Sequence, residues 1–171
     1  MGAVWFSSGN ATITRIDPNT GSVSGRIRHR GLTFDDFSQV AVGAGAVWVS
    51  SCCSVLTRID PGANAVAAVL EGFGGPIAAG FGAVWLAAAD DGLVWRIESS
   101  DRRRANFPSR TIGVGPHPLG VAVGEGSVWV ANGDGTVSRI DPSSFEATTI
   151  RVGSNLTGIA AGEGAVWVAV G

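Results

Sequence analysis

Apolar residues in this chain fall in short alternating runs rather than in helical rows. In the segment 46–50, Ala46, Trp48 and Ser50 lie on one side of an extended backbone and Val47 and Val49 on the other. Trp85 stands between Ala83 and Ala87 in the same way, and Trp129 between Ser127 and Ala131. A large indole flanked by small residues leaves a groove that a neighbouring sheet can fill. Both faces of such a strand are apolar, so a single sheet of this kind stays wet unless others stack on it. Gly, Pro, Asn and Asp bound each run, as strands require.

The pattern repeats. Gly-[Ala/Ser]-Val-Trp occurs at Gly2–Trp5, Gly45–Trp48, Gly82–Trp85, Gly126–Trp129 and Gly164–Trp167. A second signature follows the first four Trp residues by ten or eleven positions: Arg15-Ile16-Asp17-Pro18, Arg58-Ile59-Asp60-Pro61, Arg96-Ile97-Glu98 and Arg139-Ile140-Asp141-Pro142. Units of about 40 residues made of short strands point to propeller blades. Four strands are expected per unit: A around Val40–Val42, Ile77–Ala79, Val121–Val123 and Ile159–Ala161; B with the Trp; C ending at Arg-Ile-Asp-Pro; and D around Val23–Ile27, Ala65–Leu70, Thr111–Val114 and Thr148–Val152. Pro after strand C lacks the N–H needed to continue a ladder.

The expected architecture is therefore an all-β propeller in one domain, 1–171, with repeats at approximately 1–37, 38–74, 75–118, 119–156 and 157–171. The stretch opens and stops on strand B, giving four blades plus part of a fifth. Two arrangements follow: a segment of a larger ring of six to eight blades, or two copies joined into about eight. Either leaves blade faces and strand edges exposed on one copy, so self-association is expected.

Composition narrows the partners. The net charge is −2 and there is no Lys, which argues against a large phosphate-binding surface and makes nucleic acid a poor candidate. No apolar run approaches the ~20 residues of a membrane-spanning helix. Met1-Gly2 runs straight into repeat sequence, without a charged and then apolar leader. The absence of CxxC, HExxH and phosphate-loop motifs removes the common metal and nucleotide signatures, and the recurring Gly-x-Gly is a β-turn with no helix after it.

Candidate binding residues come from antiparallel order. The D–A and B–C connections share one rim, the top; the A–B and C–D turns share the bottom. Twelve positions before Trp48, Trp85, Trp129 and Trp167, at the channel mouth, stand Asp36, Phe73, His117 and Asn155, with Gln39 close to Asp36. The B–C turns add Asn10, Cys52-Cys53, Asp90-Asp91 and Asp134, so the top is acidic, partly offset by Arg28 and Arg30. A polar pocket for an unidentified small molecule or protein is the expectation there. Ordinary turn chemistry accounts for several of these residues equally well. Asp91-Gly92 and Asp134-Gly135 are favoured hairpin pairs, and His117 between two prolines fits an ordinary loop. Cys52-Cys53 fits two reduced thiols in a turn, since adjacent cysteines strain disulfide geometry. Arg102-Arg103-Arg104 reads as a solvated bottom loop or a contact for an acidic partner. Each Arg-x-Asp pair reads as a surface ion pair.

The unit Gly115–Asn132 followed by Thr136–Pro142 resembles the YVTN or YncE-like propeller repeats of bacteria, over essentially the whole chain. The resemblance implies a non-catalytic binding or scaffolding module, often secreted or in the cell envelope, or attached to a regulator. The Lys-free, Arg-rich composition fits a GC-rich bacterial genome. The Gly-x-Gly-x-Val-Trp turns are also similar to those of virginiamycin B lyase, a propeller enzyme. That likeness implies an alternative, a C–O lyase opening a cyclic depsipeptide with Mg2+ and with His117 as general base. Where that group carries Phe-Thr-Glu after the Trp, this chain has Phe6-Ser7-Ser8, Val49-Ser50-Ser51, Leu86-Ala87-Ala88 and Val130-Ala131-Asn132. The carboxylates of a metal site are missing there.

Overall fold

A computed structural model describes residues 2–8, 12–28, 39–51, 54–88, 90–98 and 108–171. Within them the chain is all β, with sheets of three, four, four, four and two antiparallel strands. The first sheet is β1 (Val4–Ser8), β2 (Thr12–Ile16) and β3 (Val23–Arg28). The second is β4 (Gln39–Gly43), β5 (Ala46–Ser51), β6 (Val55–Asp60) and β7 (Ala65–Glu71). The third is β8 (Ile77–Gly80), β9 (Ala83–Ala88), β10 (Leu93–Glu98) and β11 (Arg110–Gly113). The fourth is β12 (Pro118–Gly124), β13 (Ser127–Asn132), β14 (Thr136–Ile140) and β15 (Ala147–Arg151); β16 (Leu156–Gly162) and β17 (Ala165–Val170) form the last. Strand order follows sequence order in every sheet. No helix among the described residues is long and apolar enough to cross a membrane.

Each A strand turns into B through two residues of positive φ: Ala44-Gly45, Phe81-Gly82, Glu125-Gly126 and Glu163-Gly164. Positive φ at both central positions is what a type I′ hairpin turn requires, and its twist matches that of the strands. This explains the second Gly of each Gly-x-Gly. The first sits where inner strands of successive blades approach. A Cβ on Gly43 would lie 2.7 Å from Ala79 Cβ, and one on Gly80 would overlap Val123 Cγ1. On Gly124 it would lie 2.9 Å from Ala161 Cβ.

The blades stack by one rule used repeatedly. The Trp face of a blade meets the Val/Ile face of the next. Trp48 packs with Ile77, Val84, Leu86 and Ile97, and Trp85 with Val121, Val128, Val130 and Ile140. Trp48 and Trp85 are 1% and 0% exposed. Burial of this size dominates a core, since an indole removes a large apolar area from water. The end faces lack that cover. Trp167 is 65% exposed, and Val4 and Phe6 are 52% and 59% exposed.

Candidate functional site

The Trp and Arg signatures lie directly opposite each other across strands B and C: Trp5 with Arg15, Trp48 with Arg58, Trp85 with Arg96, Trp129 with Arg139. Each guanidinium sits over its indole, 5.5–5.9 Å from the ring centroid. The indole N–H of Trp48, Trp85 and Trp129 donates to the carbonyl of Gly43, Gly80 and Gly124 respectively. These residues are thereby structural.

The expected Arg-x-Asp ion pairs are mostly not made. Among the described residues the one ion pair is Arg96–Glu98. The Asp carboxylates turn instead to backbone N–H groups of the C–D turn. Asp60 accepts from Gly62 and Ala63, Asp141 from Ser143 and Ser144, and Asp17 from Asn19. The amides of Ala63 and Ser144 are the main cause holding the Asp60 and Asp141 carboxyls below their ordinary range. Two surface clefts of about 180 and 200 Å3 sit beside Arg15/Asp17 and Arg139/Asp141. They recur with the repeat and lie on the bottom, so they follow from the blade and not from a ligand.

At the top, the fold separates the candidates. Asp36 lies outside the described residues, as do Asp35, Asn10, Arg30 and Cys52-Cys53; so does Arg102-Arg103-Arg104 on the bottom. Gln39 accepts from the Ile77 N–H through Oε1 at 3.1 Å, tying two neighbouring inner strands together. Phe73 is half-buried and meets Trp95 edge-on, with centroids 4.9 Å apart. Both are engaged in packing the second blade against the third. His117 and Asn155 differ. Both are exposed, and both hold positive φ, 50° and 56°. Their carbonyls accept from Gly133 and Gly171 at 2.9 Å. His and Asn tolerate this conformation better than most residues. They precede β12 and β16, neighbouring inner strands, and so present side chains at adjacent positions of one rim.

Asp134 is exposed on the same rim, where its carboxylate accepts from the Thr136 hydroxyl and N–H. The Thr136 hydroxyl is the main cause keeping its carboxyl below the ordinary range. Behind it lies a network that the strand pattern did not reveal. Asn132, fully buried, donates through Nδ2 to Thr136 Oγ1 and Ser138 Oγ, while Gly115 N–H donates to Ser138. Its signal was a polar residue, Asn132, at the position held by Ala88 in the preceding blade. In the second blade Ser50 does similar work with both polar groups of Gly75.

The described residues do not assemble a Mg2+ site. No three His, Cys, Asp or Glu side chains converge among the described residues. The rim carboxylates Asp90, Asp91 and Asp134 do not gather around His117.

No protein-family model matches the chain, and no curated protein matches it. Solved structures do. The hydrazine synthase of Kuenenia stuttgartiensis superposes with a TM-score of 0.71 at 16% identity, covering 92% of this chain and 48% of that one. U3-55K gives 0.71 at 12% identity, covering 92% and 51%. A chain of the mitotic checkpoint complex gives 0.67 at 14%, covering 92% and 49%. At these identities the likeness shows the fold alone, and this chain spans about half the length of each. The fold they share with it is the β-propeller.

Proposed function

We propose that the chain is a non-catalytic propeller module that binds a small molecule or a protein through its top rim, at the channel mouth. The observation that carries this reading is the pair His117 and Asn155. They stand exposed just before neighbouring inner strands, on backbone fixed by the Gly133 and Gly171 hydrogen bonds. Side chains held on a pre-set, rigid backbone lose little freedom on binding. His offers a donor and an acceptor, Asn two donors and an acceptor, which suits recognition of polar groups rather than bulk apolar burial. Asp36 joins this rim by its position in the repeat. Gln39 and Phe73 act behind it, by holding the second and third blades in place.

The test is a screen by amide chemical shift, with a fragment library in one arm and a peptide library in the other. Binders should move the amides of 115–119 and 153–157. The variant Asp36→Ala/His117→Ala/Asn155→Ala should keep its strand signature and lose those shifts. Unchanged shifts in that variant would retire the rim.

A further inference from the structure

The channel mouth is built differently on successive sheets. β12 pairs with β13 through Pro118 opposite Asn132 and Gly120 opposite Ala131, so Leu119 is an extra residue with no partner across the ladder. β16 repeats this with β17: Leu156 is opposite Val170, Gly158 is opposite Ala169, and Thr157 is the extra residue. The pairings of β4 and β8 with their B strands show no such shift. A bulge of this kind re-aims a side chain, and here it recurs at one position of the repeat. Around each bulge one buried residue stands between two exposed ones: Pro118 between His117 and Leu119, and Leu156 between Asn155 and Thr157. The buried residue anchors the segment and leaves the exposed pair at the mouth. In the third blade the same two positions are Phe73, packed on Trp95, and Gly75, which has no side chain. β12 packs between β8 and β16, and with both neighbours in place Leu119 is still 44% exposed.

We propose that Leu119, with Thr157 at the equivalent position of the next sheet, determines which ligand the rim accepts, and that this ligand is a peptide segment of a partner protein carrying an apolar side chain. This rests on the rim reading and names its ligand. Leu119, Asn155 and Thr157 carry no charge, and neutral His117 carries none, so the four do not select an ion. A peptide group offers one N–H and one C=O together, and a carboxamide or an imidazole answers it with an acceptor and a donor. Side chains alternate with those groups along a peptide. An apolar one can therefore cover Leu119 while His117 and Asn155 hold the main chain. A small polar molecule bound only by His117 and Asn155 would leave the leucine uncovered. The work divides accordingly: His117 and Asn155 hold any peptide, and Leu119 with the Thr157 methyl chooses among them. The backbone beneath is already fixed by buried Pro118 and Leu156, so little order is lost on binding.

Panning a random phage-displayed peptide library against the full chain tests it, with enriched sequences then synthesised with both ends blocked. These should share one apolar position and move the amides of 115–119 and 153–157. Ser at that peptide position, or Leu119→Ser in the chain, should each raise Kd about tenfold. The two changes together should cost no more than either alone, the coupling expected of groups in contact. Leu119→Met keeps an apolar side chain of similar volume and should bind within about twofold. Should Leu119→Ser lose its strand signature, the peptide-side change and Leu119→Met carry the test. Additive losses overturn the proposal, as do undiminished binding by Leu119→Ser or enriched peptides with no apolar position in common. A rim that takes fragments and no peptide overturns it too. In each of these cases, shifts at 115–119 and 153–157 leave the rim reading standing. Peptide binding unchanged in His117→Ala/Asn155→Ala retires the rim reading and the proposal with it.

Discussion

Arg139 donates its Nε–H to Ser127 Oγ at 2.9 Å while its guanidinium covers the Trp129 ring. In the other three Trp–Arg pairs, Ala3, Ala46 and Ala83 stand in the place of Ser127, and Nε of Arg15, Arg58 and Arg96 is buried without a partner. One hydroxyl separates a satisfied site from three unsatisfied ones. Ala46→Ser should supply the missing acceptor to Arg58 and raise the unfolding free energy by about 0.5–1.5 kcal/mol. Ser127→Ala should lower it by a similar amount. Urea titrations of both variants check this.

The stacking rule predicts opposite outcomes for two tryptophans of the same repeat position. Trp85→Ala removes a fully buried indole and should cost about 3–5 kcal/mol. Trp167→Ala removes a mostly exposed one and should stay within about 0.5 kcal/mol. Thermal unfolding of the two variants side by side decides whether burial between blades, rather than the Trp itself, carries the stability.

Gly80 and Val123 form a steric pair across the inner strands. Gly80→Ala should destabilise by about 1–3 kcal/mol, because Val is stiff and the new methyl meets its Cγ1. Adding Val123→Ala should recover part of that loss. A double-mutant cycle reads the coupling, and additive losses would show that the inner strands adjust independently.

The turn carboxylates set an acid limit. Asp60, Asp134 and Asp141 have carboxyls held below their ordinary value in the folded chain, so their stabilisation is present above the unfolded carboxyl range. It is lost as pH falls through the lower folded values. Stability should thus be level near neutrality and decline below about pH 4. Asp60→Asn/Asp141→Asn should flatten that decline, measured as the urea midpoint against pH.

The blade rule was legible in the sequence because Trp48 and Trp85 each combine a period of two with small flanking residues, and both faces then demand cover. The Trp-to-Arg spacing was visible too, but its meaning was not. Only the register places Arg58 opposite Trp48, and that stacking leaves Asp60 to the turn amides rather than to the guanidinium. At the rim, the position before strand A marked Phe73 and His117 as equivalent. Their fates differ because Phe73 finds Trp95 within reach, whereas His117 sits on left-handed backbone that holds its side chain in solvent. The Asn132 network escaped because a polar residue in strand B reads as a turn neighbour until Thr136 and Ser138 are brought beneath it.

Because each interface is made only with the next blade, a blade resists opening as far as its two neighbours cover it. The third blade, β8–β11, has four-stranded neighbours on both sides. Its amide protons should be the last to trade with deuterium, those of the fully buried β9 slowest of all.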